Sequence, residues 1–200
     1  MKFIGIILLL LTSIFLIACS ANQASNKINN SELENLASKY GGVYVFNQKF
    51  VEEIDRREKE RSDYMDDFFK NNKRNFKRDD LVIMDKKLPQ TLSNGKPYYT
   101  SWIDYERQRN KTLPNIDKFY EDKIKEVVGQ KGYEYASVLP LYLYIDDNGQ
   151  PKYISISVGY DFEVTKYGLY GDEGRGFSLS RKETRYVKGG NKFYIEDLGK

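Results

Sequence analysis

The sequence predicts an α+β fold: an antiparallel sheet, ending in a C-terminal β-meander, with two longer helices packed on one face. Three observations predict it. Apolar residues recur at helical intervals in residues 50–76 and again in residues 112–128. Between residues 154 and 164, apolar and polar side chains alternate strictly, which is typical of a strand with one buried face.

The longer predicted helix, residues 50–76, has a charged middle. This middle either projects from the core or is stabilised by ion pairs one turn apart, such as Glu53 with Arg57. Basic residues gather at its end: Lys70, Lys73, Arg74, Lys77 and Arg78. We favour a structural explanation for them, since cations suit the C-terminus of a helix dipole. The alternative is contact with anionic lipid or with a polyanionic polymer of the envelope.

Three further β segments are predicted before the alternating strand. Residues 81–84 are a short apolar run and residues 98–105 are aromatic and β-prone, and these two segments could pair as a long-looped hairpin. Residues 133–145 are apolar on both faces, which predicts a central strand, although Pro140 implies a bulge or a local edge. The second helix, residues 112–128, is expected to begin at Thr112 and to end at Gly129.

The C-terminal third is predicted to be a meander. A glycine-rich loop, residues 166–176, follows the alternating strand, and such a loop could contact a partner. A charged strand at residues 177–188 suits a sheet edge. Gly189 and Gly190 then turn the chain into a last strand, residues 192–196.

The first twenty residues predict export. Lys2 precedes an apolar run, residues 3–16, and the small residue Ala18 stands just before Cys19. A basic start, an apolar core and a small-residue cleavage site are typical of a secretory signal peptide. The run is shorter than the roughly 20 residues that a membrane-spanning helix needs.

Leu16, Ile17, Ala18 and Cys19 resemble the lipobox of bacterial lipoproteins. The resemblance implies that the Cys19 thiol receives a diacylglyceryl group and that a signal peptidase cleaves between Ala18 and Cys19. The new amino terminus is often acylated as well, typically with a palmitate-like chain. Two acyl chains give stable attachment to a membrane. Ser20 does not resemble an inner-membrane retention signal, so we expect the outer membrane in a double-membraned cell and the cell membrane otherwise.

The predicted organisation has three parts. Residues 1–18 are the lipoprotein signal peptide, and residues 19–30 are a lipidated N-terminus and a flexible polar tether. Residues 31–200 are a single α+β domain, which is long enough to bury a core.

Composition excludes several functions. With 32 basic and 29 acidic residues the formal net charge is +3, too weak and too dispersed for a nucleic-acid binder. The chain has no histidine, and its one cysteine is assigned to lipidation. Histidine-dependent catalysis, thiol catalysis, disulfides and His or Cys metal sites are therefore excluded. We expect no enzyme activity, no metal and no cofactor.

The densest aromatic group is the candidate binding site. It comprises Tyr98, Tyr99, Trp102 and Tyr105. Such rings can stack on sugars, so a glycan or small-ligand site is conceivable, but we favour ordinary core packing.

The predicted function is that of a lipid-anchored interaction or binding module of the cell envelope. Such a protein could be an assembly factor, an inhibitor or an immunity-type protein, with an envelope protein as its partner. The alternative is a small-ligand or glycan-binding lipoprotein. A carboxylate-based hydrolase is less favoured, because no spacing selects a pair among Asp104, Glu106, Asp161 and Glu163.

Overall fold

A computed structural model describes residues 28–72, 74–187 and 189–195. The predicted signal peptide, Ala18 and Cys19 lie outside the described residues. The helices are α1 (Asn30–Tyr40), α2 (Gln48–Asn72), α3 (Arg78–Lys87), α4 (Trp102–Arg109) and α5 (Lys118–Glu134). The strands are β1 (Gly42–Val45), β2 (Tyr98–Tyr99), β3 (Ala136–Pro140), β4 (Leu143–Ile145), β5 (Pro151–Tyr153), β6 (Ser155–Asp172), β7 (Gly176–Val187) and β8 (Asn191–Tyr194).

The fold is α+β, as predicted. The larger sheet has the order β3-β6-β1-β8, and β7 pairs with the far part of β6. Every pair in it is antiparallel except β1 with β8, which is parallel. A smaller antiparallel sheet has the order β2-β4-β5. Ile28 is buried in the core, so the folded domain already includes residue 28, two residues before the predicted end of the tether.

Two apolar clusters form the core. Neighbouring residues of a strand point to opposite faces, and β1 accordingly contributes Tyr44 to the first cluster and Val45 to the second. Helices α1 and α5 pack on the first cluster, where Ile124 of α5 is fully buried. Helix α2 packs on the second cluster through Val51 and Ile54. The two longer helices, α2 and α5, therefore pack on different clusters of the core.

Charged side chains in the middle of α2 form ion pairs and hydrogen bonds, both within the helix and with neighbouring elements. The predicted ion pair between Glu53 and Arg57 forms at 2.9 Å. Arg61 is buried, and its guanidinium donates to the Asp85 carboxylate at 2.7 Å. The Tyr98 hydroxyl donates to Glu58 at 2.6 Å. Burial and this hydrogen bond raise the pKa of Tyr98 well above its usual range.

The basic residues after α2 are also partly engaged in the fold. The Arg74 guanidinium holds both oxygens of Asp80, at 2.6 and 2.8 Å, and lies 4.6 Å from the ring centroid of Phe68. This pairing lowers the pKa of Asp80 to about 2. Lys70 lies 3.6 Å from Asp67.

Among the described residues of this basic cluster, only Lys70 lies in the last turn of α2, as the dipole explanation requires. Lys77 precedes α3 and Arg78 begins it, so the dipole explanation is wrong for these two residues. Lys73 lies outside the described residues.

The predicted hairpin of residues 81–84 with 98–105 is wrong. Residues 81–84 lie within helix α3, which has Asp79 and Asp80 in its first turn and Lys86 and Lys87 in its last. These charges complement the helix dipole and override a short β-prone run. Residues 102–105 begin α4, because the Ser101 hydroxyl accepts the backbone N–H of Asp104 at 3.1 Å and caps the helix.

Two boundaries differ from the prediction. Helix α5 begins at Lys118, capped by Asp117, rather than at Thr112. At Gly129, the predicted end, the backbone does leave the helical conformation, with φ of 75°, and a second helical segment follows to Glu134. The predicted strand 133–145 is divided after Pro140: β3 pairs with β6 in the larger sheet, while β4 belongs to the smaller one. Proline cannot donate to a ladder, which accounts for the break.

The prediction that β8 continues the meander from β7 is wrong, because β8 pairs with β1. The chain reaches β1 by passing directly over Gly41, whose added Cβ would lie 3.1 Å from the Cα of Gly189. A Cβ on Gly42 would lie 2.6 Å from the carbonyl carbon of Asn191. Only glycine permits this close backbone approach.

Among the described residues, no helix has the combined length and apolar character that a membrane crossing requires.

Candidate functional site: a β-arm and an aromatic groove

The predicted aromatic site is part of the core. Tyr98, Tyr99 and Tyr105 are buried, while Trp102 is half-buried. Tyr98 belongs to the second cluster, whereas Tyr99 and Tyr105 meet edge to face in the first, with ring centroids 5.2 Å apart. These four side chains therefore share no exposed face on which a ligand could stack.

The carboxylates considered for hydrolysis have structural partners. Asp104 accepts the Gln108 amide at 2.9 Å, and Glu106 accepts the backbone N–H of Leu113 at 2.9 Å. Asp161 accepts the Ser137 hydroxyl at 2.5 Å, and Glu163 pairs with Lys182 at 2.9 Å. Within the described ranges, no group of three or more Asp, Glu, His or Cys side chains is arranged to hold a metal ion.

The most conspicuous surface feature is a projecting β-hairpin, residues 163–186, which we call the β-arm. Residues 166–172, predicted as part of a loop, continue β6, and residues 173–175 form the turn. The Asp172 carboxylate closes that turn by accepting the backbone N–H groups of Gly174 and Arg175 at 3.0 and 2.9 Å. At about 3.3 Å per residue, the arm extends roughly 30 Å along β6.

The β-arm is exposed on both faces. Residues 165–169 and 171–182 are all exposed, although alternate residues of a strand point in opposite directions. Five large apolar side chains of the arm are between 63% and 81% exposed: Tyr167, Leu169, Phe177, Leu179 and Tyr186. Isolated exposed apolar residues are common, but a concentration of them on one element indicates an interaction surface.

Ion pairs join the two strands of the arm. Glu183 accepts from Lys166 at 2.6 Å and also from Arg181, and these two cations lower the pKa of Glu183 to about 2. Glu163 and Lys182 add a second cross-strand pair. Exposed pairs contribute little individually, so the backbone ladder, interrupted by one irregularity between Tyr167 and Tyr170, maintains the arm's shape.

A second candidate site is a groove between α5 and β5. It consists of two adjoining cavities of about 360 and 350 Å³. Both cavities are lined by Phe119, Tyr120, Lys152 and Tyr153, so they form two lobes of one open groove. We call it the aromatic groove.

Tyr120 is central to the aromatic groove. Its ring meets those of Phe46, Tyr153 and Phe119 edge to face, with centroids 4.8, 5.0 and 5.2 Å away. Its hydroxyl oxygen accepts the backbone N–H of Tyr153 at 3.2 Å. Burial raises the pKa of Tyr120, and burial raises that of Tyr153 to about 12, so both hydroxyls keep their protons.

The chain was compared with protein-family models, with curated proteins and with solved structures. No family model matches it. No curated protein and no solved structure matches it either. What the β-arm and the aromatic groove can bind therefore follows from the exposure, contacts and charge of their own residues.

Proposed function

We propose that this chain is a lipid-anchored protein of the cell envelope that acts as an interaction module, and that the β-arm binds a partner protein. One observation carries the assignment of the arm: a two-stranded ribbon presents five large apolar side chains to solvent on both of its faces. A two-stranded hairpin is marginally stable alone. A partner that covers these side chains would stabilise the arm as well as bind it.

The size of the exposed surface favours a protein over a small ligand. Aromatic side chains bury about 150–250 Å² each. At the observed exposures, the three aromatic side chains of the arm, Tyr167, Phe177 and Tyr186, offer on the order of 400 Å² to a partner. A stable protein interface buries about 800 Å² on each side. A partner that contacts both faces of the arm would therefore gain about half of such an interface from these rings, and the two leucines would add to it.

The edges of the arm offer a second means of binding. Within the described part of the chain, β7 pairs with β6 and with no other strand. Its outer edge can therefore accept an extended segment of a partner as an added strand. The backbone would supply hydrogen bonds, and Phe177 and Leu179, on one face of β7, would supply apolar contacts.

Charge on the arm favours a protein rather than a polyanion. Acidic and basic side chains are interspersed, as in the pairs Glu163 with Lys182 and Glu183 with Lys166. A polyanionic polymer would be recognised by clustered, unpaired cations. We therefore propose that the partner of the arm is a different envelope protein, with an apolar surface.

The proposed lipid anchor would complement the arm. Residues 19–27 separate Cys19 from the first described residue and reach at most about 30 Å. Attachment through Cys19 would confine the protein to a thin layer above one membrane. This confinement raises the effective concentration of the arm toward partners anchored in the same membrane.

The anchor is tested by replacing Cys19. Cys19→Ala removes the thiol that the lipobox resemblance identifies as the acylation site, so we expect loss of lipid labelling and accumulation of the unprocessed chain. Metabolic labelling with an alkyne fatty acid and membrane fractionation measure both effects. Ser20→Ala is the matched control and should behave as the parent does. A Cys19→Ala protein that is processed and remains on the membrane would disprove lipidation.

The arm is tested by site-specific photocrosslinking in intact cells. A photoreactive residue at Leu179 should give one discrete adduct with a second protein, whereas the same residue at Leu139, an exposed apolar position on β3, should give none. The adduct is then identified, and the partner is purified and titrated directly. We expect Leu179→Ala to weaken its binding at least tenfold and Leu139→Ala to leave it unchanged.

Two outcomes would contradict the arm proposal. An adduct of twice the chain's own mass would show that the arm binds a second copy. Equal adducts at Leu179 and Leu139 would show that the arm has no preferred contact.

A further inference from the structure

We propose that the aromatic groove is a saccharide-binding site that takes a sugar chain bearing carboxylate groups. This site is separate from the β-arm and from the predicted aromatic group around Trp102. Its residues come from β4 and β5 with the turn between them, the start of α5 and the loop before it, the segment after β1, and the residues that directly follow β5 and β8.

The shape of the groove suits a chain. Ligand sites for small molecules measure about 300–1,000 Å³, and each lobe reaches the lower end of that range. The two lobes share the walls formed by Phe119, Tyr120, Lys152 and Tyr153, so a ligand of two or three units would span both. Both lobes are open to solvent, which allows the chain to continue at either end.

Phe119 supplies the stacking surface. It is the first apolar residue of α5, it is 58% exposed, and it lines both lobes. The C–H face of a sugar ring packs against an aromatic ring. Tyr120, held edge to face against Phe119 at 5.2 Å, fixes the neighbouring wall.

Polar groups among the rings favour a sugar over an acyl chain. Asn47 uses its side-chain oxygen to accept the Phe50 backbone N–H at 3.0 Å, which leaves its amide N–H groups as donors. Asn115 and Gln150 line the other lobe. An acyl chain would bury such groups without a hydrogen-bond partner, at a cost, whereas sugar hydroxyls would pair with them.

Two lysines explain the preference for carboxylates. Lys123 and Lys152 both line the larger lobe. Lys123 pairs with Glu126, which is 61% exposed, and Lys152 lies 3.5 Å from Asp146. The pair of Lys123 with Glu126 is exposed and therefore weak, so Lys123 can turn to a ligand at little cost. Asp146 is only 20% exposed, so its pairing holds Lys152 in place at the wall of the groove. Asp117, in the smaller lobe, caps α5 by accepting the Phe119 backbone N–H at 2.8 Å, which offsets its charge.

Calorimetric titration of the full chain in detergent micelles tests this site. The probes are trigalacturonic acid and the neutral triacetylchitotriose. We expect saturable binding of the acidic trimer, and binding of the neutral trimer at least tenfold weaker. Phe119→Ala should weaken the acidic trimer at least tenfold, and Phe119→Tyr, which keeps the ring, should restore it.

Lys152→Gln and Phe69→Ala complete the set. Lys152→Gln should weaken binding of the acidic trimer severalfold and leave binding of the neutral trimer unchanged. Phe69→Ala removes an exposed ring from α2, outside both proposed sites, and should change the binding of neither trimer. The proposal fails if the acidic trimer does not bind at millimolar concentration, if Phe119→Ala binds it as the parent does, or if the neutral trimer binds equally well. The crosslinking experiment at Leu179 tests the β-arm, so its outcome does not depend on any of these three binding results.

Discussion

The two halves of β6 lie in different surroundings. In residues 155–160, Ile156, Val158 and Tyr160 are almost completely buried, and the strand is flanked by β3 and β1. In residues 164–172, the same strand pairs with β7 alone, and Tyr167 and Leu169 are 71% exposed. One continuous ladder thus passes from the core of the domain into solvent.

The comparison shows that apolar content does not by itself decide burial. The far half of β6 carries large apolar side chains as the near half does, yet its neighbours in the fold do not cover them. Exposing such side chains lowers solubility and invites aggregation. The proposed partner would cover them and so give these side chains a function.

The largest effect is expected in the near half. Ile156→Ala would remove a fully buried side chain from the first cluster. We expect the free energy of unfolding to fall by about 2–5 kcal/mol, the usual range for such cavities. Urea denaturation followed by circular dichroism measures it. A loss below about 1 kcal/mol would show that this half is not the packed core.

The next effect is expected where the chain leaves the arm and crosses to β8. A Cβ on Gly189 would lie 2.5 Å from the Cα of Gly41, whereas a Cβ on Gly190 would meet nothing within 4 Å. Gly189→Ala should therefore cost about 1–3 kcal/mol, as overpacking does, and Gly190→Ala should cost much less. Thermal unfolding of both variants checks the difference. Equal melting temperatures would contradict the crossing.

A smaller effect concerns the arm alone and depends on pH. The folded-state pKa of Glu183, about 2, lies below its ordinary value of 4.5. Ionised Glu183 therefore stabilises the arm above about pH 4.5, and this contribution is lost as the pH falls through about 2. Amide exchange in residues 164–186, corrected for intrinsic rates, should rise as the pH is lowered from 5 to 2. In Glu183→Gln the rise in amide exchange should be smaller. If the rise is unchanged, protonation of a group other than Glu183 causes it.

The smallest effect on stability is expected at Leu179, in the outer part of the arm. Leu179 is 77% exposed, so Leu179→Ala should change the free energy of unfolding by less than about 0.5 kcal/mol. The same urea experiment as for Ile156→Ala provides the matched comparison. A loss of 2 kcal/mol or more would mean that Leu179 is buried within the protein itself, and its value as a binding residue would disappear.

Local patterns in the sequence predicted much of the fold. The alternation in residues 154–164 located the buried half of β6, and the helical periodicity located α2 and most of α5. The far half of β6 was missed because its glycines are typical of a loop. In the structure, Gly171 and Gly176 have φ values of 113° and 82° and flank the turn of a hairpin, so they shape the arm rather than end the strand.

Partners distant in the sequence could not be predicted from local patterns. The parallel pairing of β8 with β1 joins residues about 150 positions apart. The aromatic groove likewise combines segments near residues 47, 119 and 152, and no single stretch has its spacing. The cluster around Trp102 was recognisable because its residues are close in sequence, yet burial divides it between two clusters.

The most direct test of the central claim is hydrogen–deuterium exchange of the two halves of β6, measured in native membranes and after purification in detergent. We predict that residues 155–160 exchange slowly in both, and that residues 164–172 exchange rapidly in the purified protein and slowly in the membranes, where the partner covers them. Equal exchange of residues 164–172 in the two preparations would contradict the proposal that the β-arm is a binding element.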